Sequence, residues 1–129
     1  MAVELPEVLV RDAAGWRDWL MEHHADAPGA WLVLHRKGGS VTALTYEDAV
    51  LEALCFGWID GQGRRRDDES TFIRMTPRRP RSGWSASNVA RVARLEAAGR
   101  MQPAGRAAVE AAKADGRWER ATAGDPATG

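Results

Sequence analysis

The sequence predicts a small α+β domain. About three short strands form a mainly antiparallel sheet with four helices, in the order α-β-α-β-β-α-α. Three observations lead there. The chain has 129 residues, 44% of them apolar, which supplies one core and makes a single domain spanning 1–129 the default. Helical spacing of apolar residues alternates with short runs of strand formers. Two of those runs, Trp58–Arg65 and Thr71–Thr76, are joined only by the polar Arg66-Asp67-Asp68-Glu69-Ser70, the signature of a hairpin.

Each element has a local reason. Residues 1–10 read as an extended lead-in. Asp12 is a capping residue for a helix from about Ala13 to His24, in which Trp16, Trp19, Leu20 and His23 share one face. Ala27-Pro28-Gly29 ends it. Ala30–His35 is a short apolar strand, followed by the turn Lys37-Gly38-Gly39-Ser40. Thr45-x-x-Asp48 resembles a capping box and opens a helix to about Phe56, with Tyr46, Val50, Ala53, Leu54 and Gly57 on its inner face. Pro77, which cannot donate to a ladder, ends the second hairpin strand. Ser85 or Ser87 caps a helix buried through Val89, Val92 and Leu95 and stopped at Gly99. Pro103 opens the last helix, to Ala114, with Gly116 as its stop. Residues 121–129 read as a frayed tail.

Composition narrows the function. The single cysteine, Cys55, excludes an internal disulfide and fits a reducing compartment. The start MAVELPEVLV has no basic region and does not read as a signal peptide, and no apolar run is long enough to span a bilayer. A cytoplasmic protein without membrane insertion is expected. The net charge is zero but unevenly placed. Residues 1–54 hold four Lys/Arg and nine Asp/Glu, whereas residues 61–106 hold eleven arginines and four acids. Such a split predicts either two surfaces that attract each other or a basic face used for binding.

Several constellations can be weighed on their chemistry. Cys55 lies in the apolar LEALCFG and reads as structural rather than nucleophilic. His23, His24 and His35 lack metal-ligand spacing, so no metal site and no cofactor is expected. Asp67-Asp68-Glu69 lacks the alternation of a calcium loop and reads as a solvated hairpin tip. Asp60, between Gly57 and Gly61, either fixes a turn, pairs with an arginine, or acts as a general base. The arginines Arg64, Arg65, Arg66, Arg74, Arg78, Arg79 and Arg81, with Trp84 beside the last of them, form either a solvated face that docks on the acidic half or a cradle for an anion. A neutral total charge and the lack of a helix-turn-helix, zinc-finger or RNP-like signature argue against specific nucleic-acid recognition.

LTYEDAVLEALCFGWIDG, FIRMTPRRPRSGWS and GRMQPAGRAAVEAAKADGRW, with WRDWLMEHHADAPGAWLVL before them, resemble the YdeI/OmpD-associated family, also labelled bacteriocin-protection proteins. The resemblance implies a bacterial, stress-related protein and carries no catalytic residues. Gln102 stands where the family usually has Thr before Pro, and is a poorer helix cap. Together these readings predict a non-enzymatic binding domain whose surface is Trp58, Asp60, Arg74, Arg78, Arg79, Arg81 and Trp84, with an anionic small molecule or a protein as partner. Two alternatives belong to other classes. One is a small enzyme acting on a phosphorylated or carboxylated metabolite with Asp60 as acid/base. The other is an interaction module that contacts an envelope component.

Overall fold

A computed structural model describes residues 5–122. The α+β class holds, with a four-stranded sheet and five helices among the described residues. The elements are β1 (Glu7–Val8), α1 (Ala13–His23), β2 (Ala30–His35), α2 (Tyr46–Cys55), β3 (Trp58–Arg65), β4 (Ser70–Pro77), α3 (Ala86–Ala97), α4 (Pro103–Ala114) and α5 (Arg117–Thr122). Two of these were not expected. β1 is only two residues long, too short to carry a periodicity, and exists because it pairs in parallel with β2, Glu7 opposite Trp31 and Val8 opposite Leu32. That makes the sheet mixed. α5 takes in residues 121 and 122, the start of the expected tail. Its Trp118 packs on the core and Ala121 is buried, so tertiary contact holds a turn that propensity alone leaves frayed. The rest of the tail lies outside the described residues.

The three expected caps form. Asp12 Oδ1 accepts the Gly15 N–H at 3.0 Å, Thr45 Oγ1 that of Asp48 at 3.2 Å, and Ser85, not Ser87, that of Asn88 at 3.1 Å. Gln102 makes no side-chain cap bond, and Pro103 alone marks the start of α4.

The sheet order is β1-β2-β4-β3, with the β3–β4 hairpin antiparallel and a bulge between Asp60 and Gly63. One sheet face carries Ala30, Leu32, Leu34, Ile73, Met75 and Trp58 into the core. There they meet Trp16 and Leu20 of α1 and Val50, Ala53 and Leu54 of α2. Trp58 stands edge-on to both Trp16 and Trp19. Behind α2 pack α3 and α4, joined to each other through α5. Tyr46, expected on the inner face of α2, is instead 47% exposed. The opposite sheet face carries Trp31 and Phe72, and the Arg64 guanidinium covers them at 4.3 and 5.3 Å from the ring centroids. Arg64 and Arg66 both lie over Phe72, whereas Arg65 turns to Asp68, as strand alternation requires.

Two glycines are demanded by close approach. Gly57 has φ +76°, which turns the chain from α2 into β3. Gly105, in the first turn of α4, sits so close to the carboxyl end of α2 that an added Cβ would lie 2.3 Å from the Cys55 carbonyl oxygen. The Gln102 N–H donates to that same oxygen at 3.0 Å. Among the described residues, no helix is long and apolar enough to cross a membrane.

Candidate functional site

The hairpin and the loop after it build the site. Arg78 follows the last residue of β4, and its N–H donates to the Gly57 carbonyl at 2.9 Å, one step beyond the Trp58–Pro77 pair of the ladder. The chain then folds back over the Arg78 side chain. Nη1 donates to Ser82 Oγ at 3.0 Å and to the Gly83 carbonyl at 3.1 Å. Trp84 lays its ring on the guanidinium, 3.6 Å from Cζ to the centroid, and its other neighbour is the ring of Trp118 at 5.0 Å. Prolines at 77 and 80 restrict the backbone of this loop. Arg117 of α5 ties it down from the other side, donating from Nη1 to the Ser82 carbonyl at 2.7 Å.

A cleft of about 330 Å³ opens here. Pro77, Arg78, Arg79, Pro80, Ser82 and Trp84 line it from the loop, and Phe56, Gly57 and Trp58 from the α2–β3 turn. His24 and Ala25 contribute from the end of α1, Ala104, Ala108 and Ala111 from α4, and Arg117 from α5. Its walls are mostly carbon, and its charge is cationic.

The Arg78 guanidinium is the anomalous group. Nε and Nη2 are both buried and have no hydrogen-bond partner among the described residues. Burial, with the like charge of Arg117 added and Asp60 opposing, pushes its pKa down to about 10, so it remains charged at neutral pH. Arg117 has only 11% of its side chain exposed, but Asp115 neutralises it through two contacts of 2.8 and 2.9 Å from Nε. An arginine fork desolvated without an anion is costly, since buried charge is normally paired and each unmade bond to a desolvated donor costs about 1–3 kcal/mol.

The predicted binding residues separate. Arg78 and Trp84 are stacked on each other and line the cleft, with Arg79 exposed among its lining residues. Trp58 lines it too but is almost wholly buried, and its ring N–H is spent on the His24 carbonyl at 3.2 Å. Arg81 is exposed and is not part of the lining. Arg74 stands on the far sheet face opposite Trp31. Asp60 is also absent from the lining. Its Oδ2 accepts the Tyr46 hydroxyl at 2.6 Å, and Asp60 reaches Arg78 only through its charge. Sequence reasoning missed Arg117, Phe56 and the alanine face of α4. The one available signal was a second basic–aromatic pair, Arg117-Trp118, echoing the basic run that ends at Trp84.

The charge split resolves in part. Glu47 and Glu52 of α2 pair with Arg91, Arg94 and Arg100 from the basic segment and with Arg17 of α1, at 2.7 to 3.3 Å. The arginines of the hairpin and the following loop do not dock there. Cys55 is fully buried, donates to the Leu51 carbonyl at 3.4 Å, and has its pKa raised by burial, the setting of an inert thiol.

Neither curated proteins nor solved structures match the chain. A family described as a domain of unknown function, DUF8412, matches residues 8–108, which include α1 through α3, the hairpin, and the loop that carries Arg78 and Trp84. By that match, over well more than half of its length, the chain belongs to the DUF8412 family.

Proposed function

We propose that this protein is a non-enzymatic binding domain that holds an anionic ligand in the cleft at Arg78. The observation that carries the reading is that Arg78, which lines a concave site with apolar walls, has a buried Nε–Nη2 edge with no partner among the described residues. Arg117 and the exposed Arg79 add positive potential around it, and Trp84 supplies a stacking face. The setting proposed is the cytoplasm, where a lone buried thiol is stable, and the biological role is the stress-related one implied by the YdeI/OmpD-associated resemblance.

Calorimetric titration with a panel of carboxylates, phosphates, polyphosphates and acidic sugars tests the proposal. Binding in roughly the micromolar-to-millimolar range is expected, because one cationic fork in a small pocket offers few contacts against the cost of association. Arg78→Ala abolishes it. Arg79→Ala weakens it only slightly, since an exposed charge pair contributes about 0.2–1 kcal/mol. Silence up to millimolar concentrations, or unchanged binding in Arg78→Ala, rejects the site.

A further inference from the structure

We infer that the occupant of this cleft is a small monocarboxylic acid with an apolar, ring-sized body, gripped side-on by Arg78. The inference rests on the anion-binding reading above and names the ligand class for that same site. The geometry of guanidinium decides which edge is free. Nε–H and one Nη2–H point the same way from one edge, while Nη1 lies on the other side, next to Cδ. Here Nη1 is already spent on Ser82 and Gly83, and the whole Nε–Nη2 edge is unpartnered. Two parallel N–H donors on a planar group match the two oxygens of a carboxylate.

Charge selects a monoanion. Asp115 neutralises Arg117, whereas Arg78, whose Nε and Nη2 are buried, has no carboxylate partner among the described residues. A phosphate monoester carries close to two charges and three strong acceptor oxygens at neutral pH. Two donors would leave its third oxygen and second charge to the exposed Arg79 and to water, with no second buried, unpaired cation among the described lining residues. The walls select the body. Phe56, Trp58, Pro77, Pro80, Trp84 and Ala108 present ring and methyl surface, and about 330 Å³ stands at the small end of ligand sites. The free edge is shielded from bulk water, so seating the acid requires the Trp84 ring to shift off the guanidinium while Ser82 and Gly83 keep Nη1. A Cβ at Gly83 would meet nothing within 4 Å, so that part of the loop has open space beside it.

The test is a ligand series on the intact protein, read by calorimetry and by Trp fluorescence. The probes are phenylacetate, acetate, phenylacetamide, phenyl phosphate, inorganic phosphate and the tripeptide Gly-Gly-Phe. Phenylacetate is expected to bind at least about ten-fold more tightly than acetate, which lacks the ring to bury, and than phenylacetamide, which lacks the charge. Arg78→Lys keeps the charge and loses the fork, so it is expected to lose phenylacetate binding while retaining the wild-type circular dichroism spectrum. Tighter binding of phenyl phosphate or inorganic phosphate than of phenylacetate overturns the carboxylate assignment and leaves the anion site standing. Tighter binding of Gly-Gly-Phe overturns the free acid in favour of a chain end. No response to any probe overturns both readings. The comparisons within the wild-type protein decide the matter even where a variant fails to fold.

Discussion

At the scale of single residues, environment decides what each ionisable group does, and Tyr46 shows it apart from the cleft. Tyr46 is the only tyrosine, so its ionisation can be followed alone at 295 nm. Its hydroxyl donates to Asp60 at 2.6 Å. That bond, then burial and the Asp60 charge, with Arg91 opposing, push its pKa up to about 12. The folded value lies above the unfolded one, near 10. The stability this group contributes is therefore complete below pH 10 and lost as pH rises through about 12. We expect a spectrophotometric midpoint near 12 that falls toward 10 in Asp60→Ala. A wild-type midpoint near 10 would show that the pair does not persist in solution. Arg78 is the opposite case. Its folded value lies below the unfolded one, so its burial costs stability at neutral pH and an anion seated there relieves the cost.

At the scale of elements, the junction between α2 and α4 sets the wall of the cleft. α2 ends at Cys55 and its last carbonyls face the first turn of α4, where only a glycine fits. In an open helix, replacing Gly with Ala gains about 1 kcal/mol. At Gly105 the new Cβ would lie 2.3 Å from one carbonyl oxygen and 2.7 Å from another, both backbone atoms that cannot rotate away. Overpacking of this kind costs about 1–3 kcal/mol, so the clash outweighs the propensity. Gly105→Ala is expected to lower the thermal midpoint and, by pushing Ala104 and Ala108 off the turn at Gly57, to weaken ligand binding as well. A midpoint raised by the substitution would mean that the two helices are not in contact. The ion pairs between elements are unequal. Glu47 is 47% exposed, so its arginine pairs are worth little. Glu52 is 10% exposed and bridges Arg17 and Arg100, and losing it would strand two guanidinium groups.

At the scale of the whole molecule, the acidic and basic parts of the chain make one cooperative unit. α2 lies between the sheet and the later helices, so its apolar faces have no partner until the hairpin, α3 and α4 are present. Ile73, Met75, Val92, Leu95 and Val109 are buried against it and its neighbours. Each contributes about 1.5–3 kcal/mol relative to exposure. Five such residues match the whole net stability of a domain, about 5–15 kcal/mol. Residues 1–57 alone are accordingly expected to show no cooperative thermal transition by circular dichroism or calorimetry. A sharp transition in that fragment would make the two parts independent units.

The sequence by itself determined the elements whose signals are local. Asp12, Thr45 and Ser85 bond to backbone groups three residues away, Pro103 starts a helix through its own ring, and strand alternation divides Arg64 and Arg66 from Arg65. Such signals survive in a string because their partners lie within a turn or a strand of them. Only the tertiary structure decided what depends on distant pairing. β1 is a strand because β2 lies beside it, and α5 is ordered because Trp118 reaches the core. The cleft belongs to the same class. A run of basic residues shows that cations are near each other, but not which of them finds a carboxylate. Arg91, Arg94 and Arg100 are matched by the glutamates of α2, and Arg117 by Asp115. Arg78 is folded beneath Trp84 with one edge unpaired, because the return of the loop buries that edge where no carboxylate among the described residues reaches it.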